Sequence, residues 1–206
     1  MTSFEAPGTA LKLLNFVLFQ LVWYVAVDSA ADGMLLVGPA AAVGFAVLHL
    51  TLVKEHERWR EFLYLAGVTL LGALCDAGLF AMGATLYPTS ATGAVGAWPE
   101  VLGWLPPAWI LSLWLAFACL PRFSLAWLRG RYRLAAVFGA IGGPFSYMAG
   151  VHLGGVALGE SPTFTLGILA VEYALVTPLL LRLAPGLRPG SSSAEFAQDP
   201  QVSSNE

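Results

Sequence analysis

The chain alternates between long apolar stretches and short polar connections. Six stretches are candidates for helices that cross a membrane: Leu11–Val27, Met34–Val53, Phe62–Leu86, Pro107–Leu120, Tyr132–Leu158 and Thr163–Leu183. A crossing helix needs about 20 mostly apolar residues. The fourth stretch is the shortest, and it lengthens only if it starts near Leu102 or continues through 123–128. The pattern predicts an all-α integral membrane protein built as a bundle of six transmembrane helices.

The connections alternate between positively charged and free of positive charge. With the N-terminus in the cytoplasm, all ten Lys and Arg residues fall on the inner side: Lys12, Lys54, Arg58, Arg60, Arg122, Arg129, Arg131, Arg133, Arg182 and Arg188. The outer connections, 28–33, 87–106 and 159–162, contain Asp and Glu but no Lys or Arg. Positive charge in short loops sets membrane orientation. We therefore expect both termini in the cytoplasm and a multi-pass protein of the bacterial plasma membrane, the inner membrane.

Composition excludes several other classes of protein. Hydrophobic residues make up 57% of the 206 and charged residues 11%, whereas soluble domains average about 45–50% and about 25%. The mean hydropathy is +0.71. The net charge of −3 offers no basic surface for nucleic acid. Cys75 and Cys119 lie in apolar stretches, so we expect neither a disulfide framework nor a metal site from them.

The membrane part and the C-terminal end differ in composition. Residues 1–184 are expected to form one transmembrane domain, and the Pro, Gly and Ser-rich segment 185–206 a disordered cytoplasmic tail. A cleaved signal peptide ending near Ser29 is an alternative for the first stretch. It is disfavoured because the only preceding positive charge is Lys12 and the apolar stretch is longer than a usual signal core.

Small residues recur at four-residue steps in three of the stretches: Gly38, Ala42 and Ala46; Ala73, Ala77 and Ala81; Ala135, Gly139 and Gly143. Such stripes are typical of close helix packing in membranes. Pro144 follows directly in the fifth stretch, where we expect a helix kink.

A few polar residues fall inside the apolar stretches, where ionisable groups are costly and need a reason. By depth, Asp76 and His152 belong to the outer half, and Gln20 and Glu172 to the middle. Ser146 and Tyr147 follow Pro144. We expect a small polar interior lined by these residues: Gln20, Asp76, Ser146, Tyr147, His152 and Glu172. The alternative is that they only bond neighbouring helices and stabilise packing.

Motifs for common membrane enzymes are missing from the sequence. It contains three His residues and no HExxH, G-x-S-x-G or nucleotide-binding glycine loop. A Ser146–His152 pair makes a weak nucleophile and base, since the two residues are six apart on one helix. We therefore predict no metal, no cofactor and no catalytic residue.

Many positions match one bacterial membrane family. They include Asn15-Phe16-x-Leu18-Phe19-Gln20-x-x-Trp23, Gly38-Pro39 with His49-Leu50, Asp76, Pro107-x-Trp109 with Leu113-Trp114, Ser124-Leu125-x-Trp127-Leu128-x-Gly130-Arg131, and Gly139-Ala140-x-Gly142-Gly143-Pro144-x-Ser146-Tyr147-x-Ala149-Gly150. Over Leu13–Leu183 the chain resembles the family catalogued as domain of unknown function (DUF) 2878. The resemblance implies an accessory role in membrane-lipid chemistry and no established activity.

Three functional hypotheses follow from the sequence. The first is a non-catalytic protein that binds or moves a lipid or other small molecule, or supports a membrane-lipid pathway. The second is an intramembrane lipid-modifying enzyme that uses Asp76 and His152 as acid and base. The third is a structural subunit, with a membrane-protein partner or a second copy of the chain packed on an exposed small-residue face.

Overall fold

The computed structural model describes residues 8–87 and 105–186. These ranges contain six α-helices, two short strands and a 3-10 turn at Ala126–Leu128. The elements are α1 (Thr9–Ala31), α2 (Val37–Leu52), α3 (Glu55–Ala81), β1 (Thr85–Leu86), α4 (Ala108–Ala118), α5 (Tyr132–Leu153), β2 (Ala157–Leu158) and α6 (Pro162–Leu183). The predicted tail lies outside the described residues from 187 onwards, and the predicted outer loop 87–106 does so over 88–104.

Each of the six predicted stretches overlaps one of these helices, which confirms the helical class. The bounds of the third were wrong: α3 starts seven residues before Phe62 and ends five before Leu86. Its first turn carries Glu55 and Glu57, whose charges favour a helix N-terminus. The fifth stretch was predicted too long, because Gly154 adopts a left-handed φ of +83° and ends α5.

Four helices are long and apolar enough to cross a membrane by length and composition: α1, α3, α5 and α6. The other two, α2 and α4, are apolar but have 16 and 11 residues. Apolar helices of this length indicate a membrane protein.

The helices pack around α4, which contacts α1, α2 and α3, while α5 and α6 form a hairpin with an extensive mutual interface. Two of the small-residue stripes lie in these interfaces. A Cβ at Gly38 would lie 2.8 Å from Ala26 of α1, and one at Gly139 would lie 2.1 Å from the carbonyl oxygen of Tyr173 in α6. These close approaches confirm that both stripes serve helix packing.

The two strands join the end of α3 to the α5–α6 connection. Thr85 pairs with Leu158, and Leu86 with Ala157, in an antiparallel ladder. The hydroxyl of Thr165, in the first turn of α6, donates to the carbonyl oxygen of Ala84 at 3.1 Å. The α5–α6 hairpin is thus attached to the rest of the bundle at this end.

Candidate functional site

A large groove separates α1 from α5. Its volume is about 930 Å³, within the range of sites for small organic ligands. The groove extends along α1 from Thr9 to Val27, and α4 contributes residues from Trp109 to Phe117. Most of its lining side chains are aliphatic or aromatic, so the groove suits an elongated apolar molecule.

Asp76 contributes a carboxylate to this apolar groove. The residue is only 1% exposed, yet it lines the groove. The indole Nε1 of Trp114 donates to its Oδ2 at 2.5 Å, and the hydroxyl of Tyr147 donates to its Oδ1. Both donors are neutral. The carboxylate therefore has hydrogen-bond partners on α4 and α5 but no counter-charge among these partners.

Aromatic rings pack against Trp114, the indole partner of Asp76. The rings of Trp114 and Tyr173 are stacked with centroids 5.4 Å apart, and Phe117 packs at 6.0 Å from Trp114 and 6.2 Å from Tyr173. All three rings line the groove. They join α4 to α6 and form what we call the aromatic wall: Trp114, Phe117 and Tyr173.

Glycines make room for two rings of this wall. A Cβ at Gly72 would lie 2.0 Å from the indole of Trp114, and a Cβ at Gly143 would lie 2.5 Å from the ring of Tyr173. Contacts under about 3 Å do not occur between such atoms, so neither position accepts a side chain without movement of its ring. The two glycines therefore fix where the rings stand relative to Asp76.

The structure brings some of the predicted interior residues together and separates others. Gln20 and Ser146 line the groove with Asp76 and Tyr147. The Ser146 hydroxyl donates to the carbonyl oxygen of Gly143 at 2.8 Å. Helix α5 runs through Pro144 without interruption.

His152 and Glu172 lie elsewhere. His152 is exposed near the end of α5 and is not among the residues that line the groove. Glu172 lies beside Cys75 of α3 and borders a separate, smaller pocket with Phe164 and Val171. Its Oε1 is buried without a hydrogen-bond partner among the described residues.

A second polar cluster joins α2, α3 and the segment after α4. Glu61 is fully buried; its Oε1 lies 2.8 Å from Nε2 of His49, and its Oε2 accepts from Nη1 of Arg122 at 2.8 Å. Arg122 also donates to Glu57 from Nη2, and Nη1 reaches the carbonyl oxygen of Pro185 at 3.4 Å. We call these four ionisable residues the inner charge cluster: His49, Glu57, Glu61 and Arg122.

Sequence reasoning missed the buried part of this cluster. It placed Glu61 in a cytoplasmic connection, because the third stretch was expected to begin at Phe62. The signal that could have found it is His49, a polar residue in an apolar stretch that needs a partner. Arg122, between the apolar Pro121 and Phe123, was another such signal.

Asn15 forms a third polar contact between helices. Its Oδ1 accepts from the Ser124 hydroxyl at 2.8 Å, and its Nδ2 donates to the carbonyl oxygen of Cys119 at 3.3 Å. This contact attaches α1 to the segment that follows α4. The described part of the chain contains no group of three or more His, Cys, Asp or Glu side chains arranged to hold a metal ion.

Comparison with known proteins identifies a family. No curated protein matches the chain, and no solved structure matches it. The sequence model of one family, described as proteins of unknown function, matches residues 12–179. This match covers most of the chain and includes every residue of the groove described above except Thr9. The chain therefore belongs to the DUF2878 family.

Proposed function

We propose that the protein binds a lipid-like amphiphile in the groove between α1 and α5 and acts without catalysing a reaction. The observation that carries this proposal is an apolar groove of about 930 Å³ with the Asp76 carboxylate at its floor. Elongated apolar walls with few, localised polar groups are typical of sites for amphiphilic ligands. Binding or movement of such a molecule is how the protein would support a membrane-lipid pathway.

The proposal includes a six-span topology with both termini in the cytoplasm of a bacterium. In support, the Lys and Arg residues of the described part of the chain lie at one set of helix ends. Lys12 is in the first turn of α1, Lys54 between α2 and α3, Arg122 and Arg131 between α4 and α5, and Arg182 in the last turn of α6. Positive charge of this distribution favours the cytoplasmic side.

The enzyme hypothesis has less support. Acid–base catalysis by Asp76 and His152 needs both side chains within reach of one substrate. Asp76 instead bonds Trp114 and Tyr147, and His152 lies on an exposed surface outside the groove. No observation in the described residues favours the structural-subunit hypothesis over binding, because two small-residue stripes already face helices of the same chain.

Tryptophan fluorescence in uncharged detergent tests groove binding directly. Trp23, Trp109 and Trp114 line the groove, so a hexadecanol with a brominated chain is expected to quench them saturably. Gly142 also lines the groove and has open space around its Cβ position. Gly142→Phe is therefore expected to fill the groove and weaken binding at least tenfold.

The matched control is Gly44→Phe on α2, which also has open space around it but lies outside the groove. It should bind like the wild type. Equal, non-saturable quenching in all three proteins would overturn the proposal. A lipidome comparison of a deletion strain, its complement and the Gly142→Phe complement then tests the pathway role, which an unchanged lipid composition would contradict.

A further inference from the structure

We infer that the molecule bound in the groove carries an organic cation, an amine or quaternary ammonium, which is held by Asp76 and the aromatic wall. The inference rests on the proposed function, because it assigns the chemical class of the same ligand. The apolar chain of the bound molecule would lie along the groove toward Lys12.

The hydrogen bonds of Asp76 favour a cation over an anion. The Trp114 N–H and the Tyr147 O–H both point at the carboxylate, so neither is free for an anionic group. A carboxylate has about four acceptor positions on its two oxygens. Two are used by these donors, which leaves acceptor positions for the N–H groups of an amine, whereas a quaternary ammonium, which has no N–H, would be held by its charge.

The charge of the Asp76 carboxylate is not balanced by its hydrogen-bond partners, which are an indole N–H and a phenol O–H. Among the described residues that line the groove, Lys12 is the only Lys or Arg; it lies in the first turn of α1, whereas Asp76 lies five residues before the end of α3. A carboxylate in hydrocarbon is costly without a counter-charge, and a bound cation would supply one.

The aromatic wall adds a second attraction for a cation. Ring faces carry a partial negative charge, so a cation within about 6 Å of a ring centroid is stabilised, more strongly where water is excluded. Trp114, which bonds Asp76, stacks on Tyr173, and Phe117 packs next to both rings; all three rings line the groove together with Asp76. Carboxylate and rings together select for a positive headgroup.

The position of Asp76 leaves room for a chain. The groove is lined by Val27 and Val156 near one end and by Lys12 and Leu128 near the other. From Lys12 to Val27 helix α1 rises about 22 Å at about 1.5 Å per residue. Tyr147, which bonds Asp76, packs in one apolar cluster with Val156. A headgroup at Asp76 therefore lies toward the end of the groove that Val27 and Val156 line, with the longer part of the groove available to the chain.

The test compares three probes that share one brominated hexadecyl chain and differ only in the headgroup. These are a trimethylammonium, an alcohol and a carboxylate, each titrated into the full chain in uncharged detergent with tryptophan quenching as the signal. In the wild type the ammonium probe is expected to bind about tenfold more tightly than the alcohol, and the carboxylate most weakly.

Two variants show which side chains cause the preference for the ammonium probe. Asp76→Asn keeps the shape but removes the charge, so the preference for the ammonium probe over the alcohol should fall severalfold, to what the aromatic wall alone supplies, while alcohol binding stays unchanged. Phe117→Leu removes one ring of the aromatic wall and should weaken only the ammonium probe, severalfold. This second variant and the wild-type comparison keep the inference testable if Asp76→Asn does not fold.

The outcomes separate the inference from the function it depends on. Saturable binding with equal affinities for the ammonium and alcohol probes in the wild type would overturn the cation inference and retain the groove. Retention of the full ammonium preference in Asp76→Asn would also overturn it. Absence of saturable binding for all three probes would overturn the proposed function itself.

Discussion

The indole of Trp114 occupies the space that a side chain at Gly72 would need. Its ring atoms Cδ2, Cγ and Cδ1 lie 2.0, 2.1 and 2.5 Å from the Cβ position at residue 72. The same indole donates to Asp76. Because Gly72 has no side chain, Trp114 of α4 can approach α3 closely enough to bond Asp76. A glycine four residues before Asp76 thereby positions the hydrogen bond that the carboxylate receives.

Gly72→Ala is expected to destabilise the protein by about 1–3 kcal/mol, because the indole must move out of a packed position. Ligand binding in the groove should weaken as well. Thermal unfolding in detergent, followed by tryptophan fluorescence, measures the first effect. Gly78→Ala on the same helix, where nothing lies near the Cβ position, is the control and should not lose stability. Equal effects of the two substitutions would contradict this account.

Gly139→Ala is expected to push α5 away from α6 at their contact and to destabilise the protein. Its Cβ would lie 2.1 Å from the backbone oxygen of Tyr173, and a backbone atom cannot turn aside as a side chain does. We expect a loss of stability at the upper end of the about 1–3 kcal/mol typical of overpacking. Titration with a denaturing detergent, monitored by circular dichroism, provides the measurement. Gly142→Ala, one turn further on and in open space, should behave like the wild type.

Arg122→Gln is expected to destabilise the protein by about 3–5 kcal/mol, because it leaves the buried carboxylate of Glu61 without its positive partner. Arg131→Gln removes an exposed charge nearby and should change stability by less than about 0.5 kcal/mol. Chemical denaturation of the purified proteins compares the two. If Arg122→Gln is as stable as Arg131→Gln, the inner charge cluster does not stabilise the fold.

Membrane sidedness is tested with single cysteines in a Cys75→Ala, Cys119→Ala background. Asp32→Cys, in the exposed α1–α2 connection, is expected to react with a membrane-impermeant maleimide on cells whose outer membrane has been opened. Lys54→Cys, in the exposed α2–α3 connection, should react only after the inner membrane is broken. Labelling of Lys54→Cys in unbroken cells would contradict the proposed orientation.

Apolar stretches separated by polar connections predicted the six helices, although the helix ends differ from the stretch ends, most of all at α3 and α5. The sequence pattern also singled out Asp76 and Tyr147, which stand out by polarity alone, and the structure joins them. It could not find Trp114 as the second partner, since a tryptophan in an apolar helix does not differ from other core residues. Depth along a helix is readable from sequence, but the direction a side chain faces is not. For that reason the sequence could not show that His152, which is near Asp76 in depth, lies outside the groove.

The inner charge cluster also constrains the order in which the protein can be assembled. His49 and Glu61 are synthesised before Arg122, which follows Glu61 by 61 residues. At about 5–20 residues per second, the ribosome needs roughly 3–12 s to cover that distance. During this interval Glu61 lacks its partner Arg122, and a buried charge that lacks its partner is costly. Contact with water at the start of α3 would stabilise the Glu61 carboxylate until then, and the contact between Glu61 and Arg122 forms only after the fourth helix has been synthesised.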